Sequence, residues 1–350
     1  MIQTYECPGC GAAMQFDSEK QKMVCDHCGT SCTVEELEDI RTHDVEREDE
    51  VSGSFSEPEQ NGEFKVYKCP SCGAELLTDE HTSATFCGFC GRPSLVEDRL
   101  SGVSMPSRVI PFKINKEQAK EQYRAWAKKG ILTPSEFYSN STIEKITGMY
   151  VPFWLYDYNA RMELSAEATK VRHETRGDYR YTYTDYYMIT RDVEADYDKV
   201  PADASEKMPD DVMDKLEPFK YEDLTAFEMP YLSGYYSEKY NYTAEDMSQR
   251  IEKRIRKYIL DTTRNTIKGY TTVNIRHTNS RLNKQNAEYA LMPVWVLNCR
   301  YKEKDYLFTL NGQTGKIVAD RPVSKEKMAI WFVGVAVVVF VILMIIGFAF

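Results

Sequence analysis

The chain has 350 residues, with 44 Lys and Arg against 54 Asp and Glu, and a formal charge of −10. That balance argues against a general polyanion binder, whose surface should be net positive. The length has room for small metal-folded units, a linker, one or two medium domains and an anchor rather than a single core.

Four cysteine pairs open the chain. Cys7/Cys10 and Cys25/Cys28 are Cys-x-x-Cys motifs separated by fourteen residues, and Cys69/Cys72 and Cys87/Cys90 repeat that unit 62 residues later. Cys7-Pro8-Gly9-Cys10-Gly11 matches Cys69-Pro70-Ser71-Cys72-Gly73 almost letter for letter. Two thiolates two residues apart can face one ion from a tight turn, because the glycine that follows lets the backbone curl with its amides toward sulfur. Fourteen residues form a short hairpin that brings the second turn opposite the first. Each quartet is therefore expected to close a tetrahedron around one structural Zn²⁺, two per chain, with no position open for water. The spacing predicts zinc ribbons at 1–36 and 65–100, each too short to fold on a core of its own. Iron in a rubredoxin-like site and disulfides are the competing uses of such cysteines. His27 sits inside the second knuckle without completing a Cys₂His₂ pattern.

Between Glu35 and Glu63 twelve acidic residues meet two basic ones, interleaved with Ser52-Gly53-Ser54, Pro58 and Asn61-Gly62. Such a mixture repels itself and resists collapse, so 37–64 is expected to be a flexible acidic tether. The second ribbon has Lys65, Lys68, Arg92 and Arg99 against Glu75, Asp79, Glu80, Glu97 and Asp98. A phosphate-binding surface should be net positive, so the ribbons are expected to dock proteins, and nucleic acid is not expected as a partner.

Residues 101–322 are expected to form a central α+β domain of helices and antiparallel strands. Asn115 and Gln118 have the spacing of a capping box, followed by a helix with Ala119, Tyr123, Trp126 and Ala127 on one face. Thr133-Pro134-Ser135-Glu136 is a second helix start, with Gly148 as its end. A strand is predicted over Tyr150–Tyr156, then a hairpin of Arg161–Arg172 and Tyr179–Thr190 turning at Arg176-Gly177-Asp178. Thr243–Ile267 reads as a long helix with Ile251, Ile255 and Ile259 inward, followed by strands at Thr271–His277 and Ala290–Tyr301 and a closing turn at Asn311–Gly315. The echo of Tyr150-Val151-Pro152-Phe153-Trp154-Leu155 in Leu291-Met292-Pro293-Val294-Trp295-Val296 fits two related halves, and equally two apolar strands that each begin with a tolerated proline.

From Arg250 to Lys284 ten basic residues face Glu252 and Asp261, a local balance of +8. Arg250, Lys253, Arg254 and Lys257 share a helical face opposite the isoleucines. This is either an ordinary solvated face or a surface for an acidic partner, anionic headgroups or the chain's own acidic tether. No catalytic constellation is present: Gly312-Gln313-Thr314-Gly315-Lys316 lacks the phosphate-loop pattern, and His173-Glu174 begins no zinc-protease motif. The protein is not expected to be an enzyme. Cys32 is expected to pack beside the first ribbon and Cys299 to be a small buried hydrophobe rather than a nucleophile, and Tyr179, Tyr181, Tyr183, Tyr186 and Tyr187 to belong to a half-exposed antiparallel strand rather than a base-stacking platform.

Ala329–Phe350 contains no charged residue, and 22 residues in a helix span about 33 Å, enough to cross a bilayer. Trp331 and Phe332 suit an interfacial anchor. Arg321, Lys325 and Lys327 precede the span and nothing basic follows it, which places the N-terminal bulk in the cytoplasm, joined through a juxtamembrane segment at 323–328. The expected topology is tail-anchored and single-pass in the cell membrane, and a reducing cytoplasm suits thiol-rich ribbons.

The tandem Cys-Pro-x-Cys-Gly units, Val109-Ile110-Pro111-Phe112-Lys113, Tyr150–Asp157, Leu216-Glu217-Pro218-Phe219, the Asn311–Lys316 turn and the terminal span together resemble bacterial membrane proteins with paired TFIIB-type zinc ribbons. In bacilli these are encoded beside a phage-shock-protein-A-like protein. The resemblance covers nearly the whole chain. It implies a non-enzymatic membrane adaptor that recruits cytoplasmic partners, that protein and other membrane proteins among them, during envelope stress. A nucleic-acid-binding protein held at the membrane, or an enzyme with an unrecognised site in the central domain, are the alternatives.

Overall fold

A computed structural model describes residues 2–40, 60–61, 64–68, 75–79, 82–86, 93–96 and 105–349. The protein is α+β with a mixed sheet, and it divides into two units. The first comprises Met1–Pro152, Lys207–Lys239 and Leu291–Phe350, and the second Phe153–Glu206 and Tyr240–Ala290. Both copies of the Pro/Trp echo lie where a strand passes from one unit into the other.

The first unit begins with β1 (Ile2–Gln3) and a small antiparallel sheet of β2 (Gln15–Asp17), β3 (Lys22–Val24) and β4 (Ser31–Cys32). A helix, α1, occupies 34–40, where the acidic tether was expected to have begun. Thr33 opens it: its hydroxyl accepts from Glu36 N–H (3.1 Å) while the Glu36 carboxylate accepts from Thr33 N–H (2.8 Å). This reciprocal cap stabilises the first turn despite the acidic sequence. A second three-stranded sheet joins β5 (Gln60–Asn61), β6 (Phe64–Lys68) and β7 (Glu75–Asp79). Strands β8 (Thr82–Phe86) and β9 (Pro93–Val96) pair antiparallel, and β9 also pairs with β1.

After β10 (Arg108–Val109), α2 (Lys116–Lys129) begins at the expected capping box: Asn115 Oδ1 accepts from Gln118 N–H at 2.8 Å and Gln118 Oε1 from Asn115 N–H at 3.0 Å. Ala119, Tyr123 and Ala127 are buried, while Trp126 is half-exposed. The single helix expected from Thr133 to Gly148 is instead a 3₁₀ turn, Ser135–Tyr138, and a one-turn helix, α3 (Asn140–Ile143). Ser139 divides them. Its backbone is extended and its hydroxyl accepts from Thr142 N–H, so a residue type that competes with the helix backbone restarts the helix rather than continuing it.

Strand β11 (Thr147–Arg176) then runs through both units and turns at Gly177 (φ 60°) into β12 (Tyr179–Asp203). In the first unit β11 pairs in parallel with β14 (Tyr236–Glu238), and a short strand, β13 (Thr225–Ala226), pairs with β10. Helix α4 (Asp210–Leu216) precedes them. Here Phe112 stacks on Tyr235 (4.1 Å) and meets Tyr150 (5.0 Å) and Trp295 (5.2 Å) edge-on. Gly312 admits the Phe112 ring, since a Cβ there would stand 2.7 Å from it.

In the second unit, α5 (Ser248–Asn265) covers one face of the sheet. Ile251, Ile255 and Ile259 pack against alternate β11 residues, Tyr156, Tyr158, Ala160, Met162, Leu164 and Ala166. The other face is polar, with Arg161 bonded to Asp192, and Asn159 to Glu194 (3.0 Å) and Asp196 (2.9 Å). The strands expected at Thr271–His277 and Ala290–Tyr301 are one, β15 (Thr272–Tyr301). Residues 278–286 look like a loop in sequence because they are polar. Arg276 on Glu167 (2.6 Å), Asn279 on Glu163 and Asn286 on Asp157 (3.4 Å each) nevertheless tie β15 to β11 across the solvated face. Strand β16 (Lys304–Asn311) pairs with the end of β15 and with β17 (Ile317–Ala319), and the turn between β16 and β17 closes with Gly315 N–H on Asn311 O at 2.9 Å. Helix α6 (Lys325–Ala349) follows β17.

Candidate metal centre

Cys7, Cys10, Cys25 and Cys28 bring their four sulfurs within 4.8 Å of one another. Two knuckles of the same shape place them. Gly11 N–H donates to Cys7 O (2.8 Å) and Gly29 N–H to Cys25 O (2.9 Å), and both glycines adopt the left-handed conformation, φ 69° and 77°. Any other residue would be strained at these two positions.

The donor set fits a metal ion. Sγ atoms of Cys7 and Cys28, and of Cys10 and Cys25, lie 3.5 Å apart. That is far beyond the bonded distance of a disulfide, about 2.05 Å, and close to the edge of a tetrahedron of sulfurs, roughly 3.8 Å for a metal–sulfur bond of about 2.3 Å. Gly9 N–H points at Cys7 Sγ (3.4 Å). Thr30 interacts with Cys28 through its hydroxyl and its backbone, drawing that thiol down to about 6. Cys10 behaves oppositely: although the Ala12 backbone favours its thiolate, Cys28, burial and Cys25 push it up to about 12. Four thiols this close cannot all ionise without a cation among them. Cys7 and Cys25 are buried and Cys10 and Cys28 exposed, so the centre lies at the surface.

The cysteine module is bonded to the rest of its unit. Phe16 N–H donates to Ser233 O (3.0 Å), Ser233 Oγ to Met14 O (2.6 Å) and Gln21 Nε2 to Phe112 O (2.7 Å), while Phe16 meets Tyr231 edge-on at 5.1 Å. These partners lie 91 to 219 residues away for Gln21 and Ser233, so no local motif announces the seat. A cavity of about 520 Å³ lies between module and body, with Asp17, Glu19, Asp26, Lys116 and Lys145 in its wall.

The second quartet, Cys69, Cys72, Cys87 and Cys90, lies outside the described residues. The basic helical face divides in two. Arg250 pairs with Asp203 (3.2 Å) and Arg254 donates to Pro201 O (2.7 Å), whereas Lys253 and Lys257 are exposed. His27 is exposed too. Cys32 and Cys299 are buried, and burial raises both thiols. All five hairpin tyrosines are exposed, Tyr186 the most at 81%. Tyr187 meets Tyr270 edge-on at 5.4 Å, beneath Lys170.

Lys325–Ile346 is apolar and long enough to cross a membrane, and none of it is buried in the protein. Its root is held firmly. Ser324 N–H donates to Leu132 O (2.9 Å), Lys327 Nζ to Thr133 O (2.7 Å), and Arg321 lies over the Trp126 ring at 4.5 Å while donating to Trp126 O (3.1 Å). The apolar run is legible in the sequence, whereas this clamp, made by residues that are individually ordinary, is not.

Fold and site together define an α+β protein with an N-terminal four-cysteine centre able to hold a metal ion and a C-terminal helix able to span a membrane. The chain is 42% identical over 336 residues to the uncharacterized protein YdjG of Bacillus subtilis (strain 168), covering 96% of this chain and 95% of YdjG, and it belongs to that family. No protein-family model and no solved structure matches it.

Proposed function

We infer that this protein is a membrane-anchored adaptor whose cysteine modules and α+β body hold protein partners at the cytoplasmic face of the bilayer. Cys7, Cys10, Cys25 and Cys28 hold one Zn²⁺, and Cys69, Cys72, Cys87 and Cys90 a second. Four thiolates fill a tetrahedral shell, so the ions serve structure rather than catalysis. Arg321, Lys325 and Lys327 before the span favour a cytoplasmic body. The observation that carries this reading is that the cysteine module and the root of α6 are both bonded into the same unit, so a partner docked there is kept at the membrane. Recruitment of a phage-shock-protein-A-like protein during envelope stress is supported by the family resemblance alone.

The test is quantitative capture from solubilised membranes by the full chain, by Cys7→Ser, by Cys69→Ser and by the control Cys299→Ala. The adaptor reading expects a defined soluble partner that is held by the intact chain and the control and lost with either module variant. Capture indifferent to both module variants would move docking to the body, and no specific partner at all would sink the reading.

A further inference from the structure

Outside α6, Ile131 (63%) and Val323 (52%) are the two most exposed branched aliphatic side chains among the residues whose burial is described. They are neighbours in the structure, because Leu132, next to Ile131, accepts the hydrogen bond of Ser324, next to Val323. Two isolated exposed aliphatics would need no explanation, but these two flank one backbone hydrogen bond at the foot of α6, whose own apolar side chains are exposed. Lys128 and Lys129 end α2 just before Ile131 and Lys325 lies two residues after Val323; all three are exposed and have no ion pair among the described residues, while Glu326 is the acidic residue in the first turn of α6.

Distance supports the same conclusion. Ala329, where the uncharged run begins, lies five steps along the chain from Ser324, and at 1.5 Å each the 128–133 turn stands roughly 7–8 Å from the hydrocarbon boundary. The headgroup layer is about 5–7 Å thick on each side, and lysine stems bridge the remainder. The turn cannot drift away, since Lys327 Nζ is bonded to Thr133 O (2.7 Å) and Arg321 is stacked on Trp126. Gly130 permits this closure. A Cβ there would lie 2.1 Å from Thr133 Oγ1 and 2.7 Å from Arg321 Cδ.

We propose that the 128–133 turn is a second, peripheral lipid contact, in which Ile131 enters the headgroup layer beside α6 and Lys128, Lys129 and Lys325 face anionic headgroups. The contact fixes how the first unit rests on the bilayer instead of leaving it to swivel about one helix. It rests on the reading of α6 as a membrane span, and the experiment separates the two. Benzoylphenylalanine is placed at position 131, or at 340 within α6, in the full chain reconstituted in phosphatidylcholine nanodiscs with or without phosphatidylglycerol. After illumination, lipid adducts are measured by mass spectrometry. The proposal expects adducts at both positions, with that at 131 rising several-fold when phosphatidylglycerol is present and falling as much in Lys128→Gln/Lys129→Gln, whose exposed sites leave the fold intact. Adducts at 340 with none at 131 overturn the peripheral contact and leave the span. Adducts at neither overturn the span and the contact with it, and labelling at 131 indifferent to anionic lipid or to the lysines overturns the electrostatic half of the proposal.

Discussion

Residues 2–40 bury Tyr5, Met14, Phe16, Met23, Val34 and Leu37, Phe16 against Tyr231 of the first unit's body, while the second unit closes twelve buried side chains between one helix and a long antiparallel sheet. In the second unit the apolar pattern alone accounts for the fold: every isoleucine of α5 that faces the sheet is completely buried. The cysteine module has too few such residues, and its two knuckles converge on sulfur instead. If the quartet holds the proposed ion, hydrophobic burial and metal ligation are alternative sources of stability within one chain, and each leaves a different vulnerability.

The largest effect expected is therefore at a ligand. Structural zinc contributes about 10–16 kcal/mol in small finger peptides, so Cys25→Ser should unfold the module and expose its amides. Hydrogen exchange should show lost protection across 2–40 and unchanged protection in α5; loss in both would erase the contrast. Next is the second unit's core, where Ile255→Ala should cost about 2–5 kcal/mol in denaturant unfolding without releasing metal. Gly130→Ala forces Thr133 or Arg321 to move, at about 1–3 kcal/mol for such overpacking, and limited proteolysis should then cut faster between 320 and 325.

A smaller effect is carried by charge. Lys120 is bonded to Glu117 and Glu144 at 2.8 Å each. Its ammonium is held above its usual 10.5 by Glu117 and then Glu144, a contribution complete below 10.5 and lost as pH rises through the raised value. Glu144 is held below its usual 4.5 by Lys120, so its contribution is complete above 4.5 and is lost as pH falls through the lowered value. The stability difference between the natural chain and Lys120→Met should be flat from 4.5 to 10.5 and shrink outside that window. A difference that stays constant below 4.5 and above 10.5 as well would assign Lys120 a packing role alone. Least of all, Lys257→Ala on the exposed side of α5 should stay within about 0.5 kcal/mol.

Much of this was legible beforehand where the determinants are local. The cysteine spacing, the Asn115/Gln118 box, the α5 isoleucines and the apolar run each carry their own signal within a few turns of chain. What stayed hidden depends on distant partners. Ser139 reads as one more helical residue until its hydroxyl is seen capping α3, and 278–286 reads as a loop because its strand neighbours are the polar groups of β11. The seat of the cysteine module on Ser233 and Phe112, and the clamp of α6 on Leu132 and Thr133, join segments far apart in sequence through backbone carbonyls, which leave no trace in residue identity.

The contrast between a module proposed to fold on metal and one folded on apolar burial is tested most directly by the metal content of the full chain, purified in detergent under reducing conditions and measured by native mass spectrometry with elemental analysis. The account predicts one zinc ion per cysteine quartet, two per chain, falling to one in Cys7→Ser while α5 keeps its protection. A chain that carries no metal yet keeps 2–40 folded, or that carries iron in place of zinc, would contradict it.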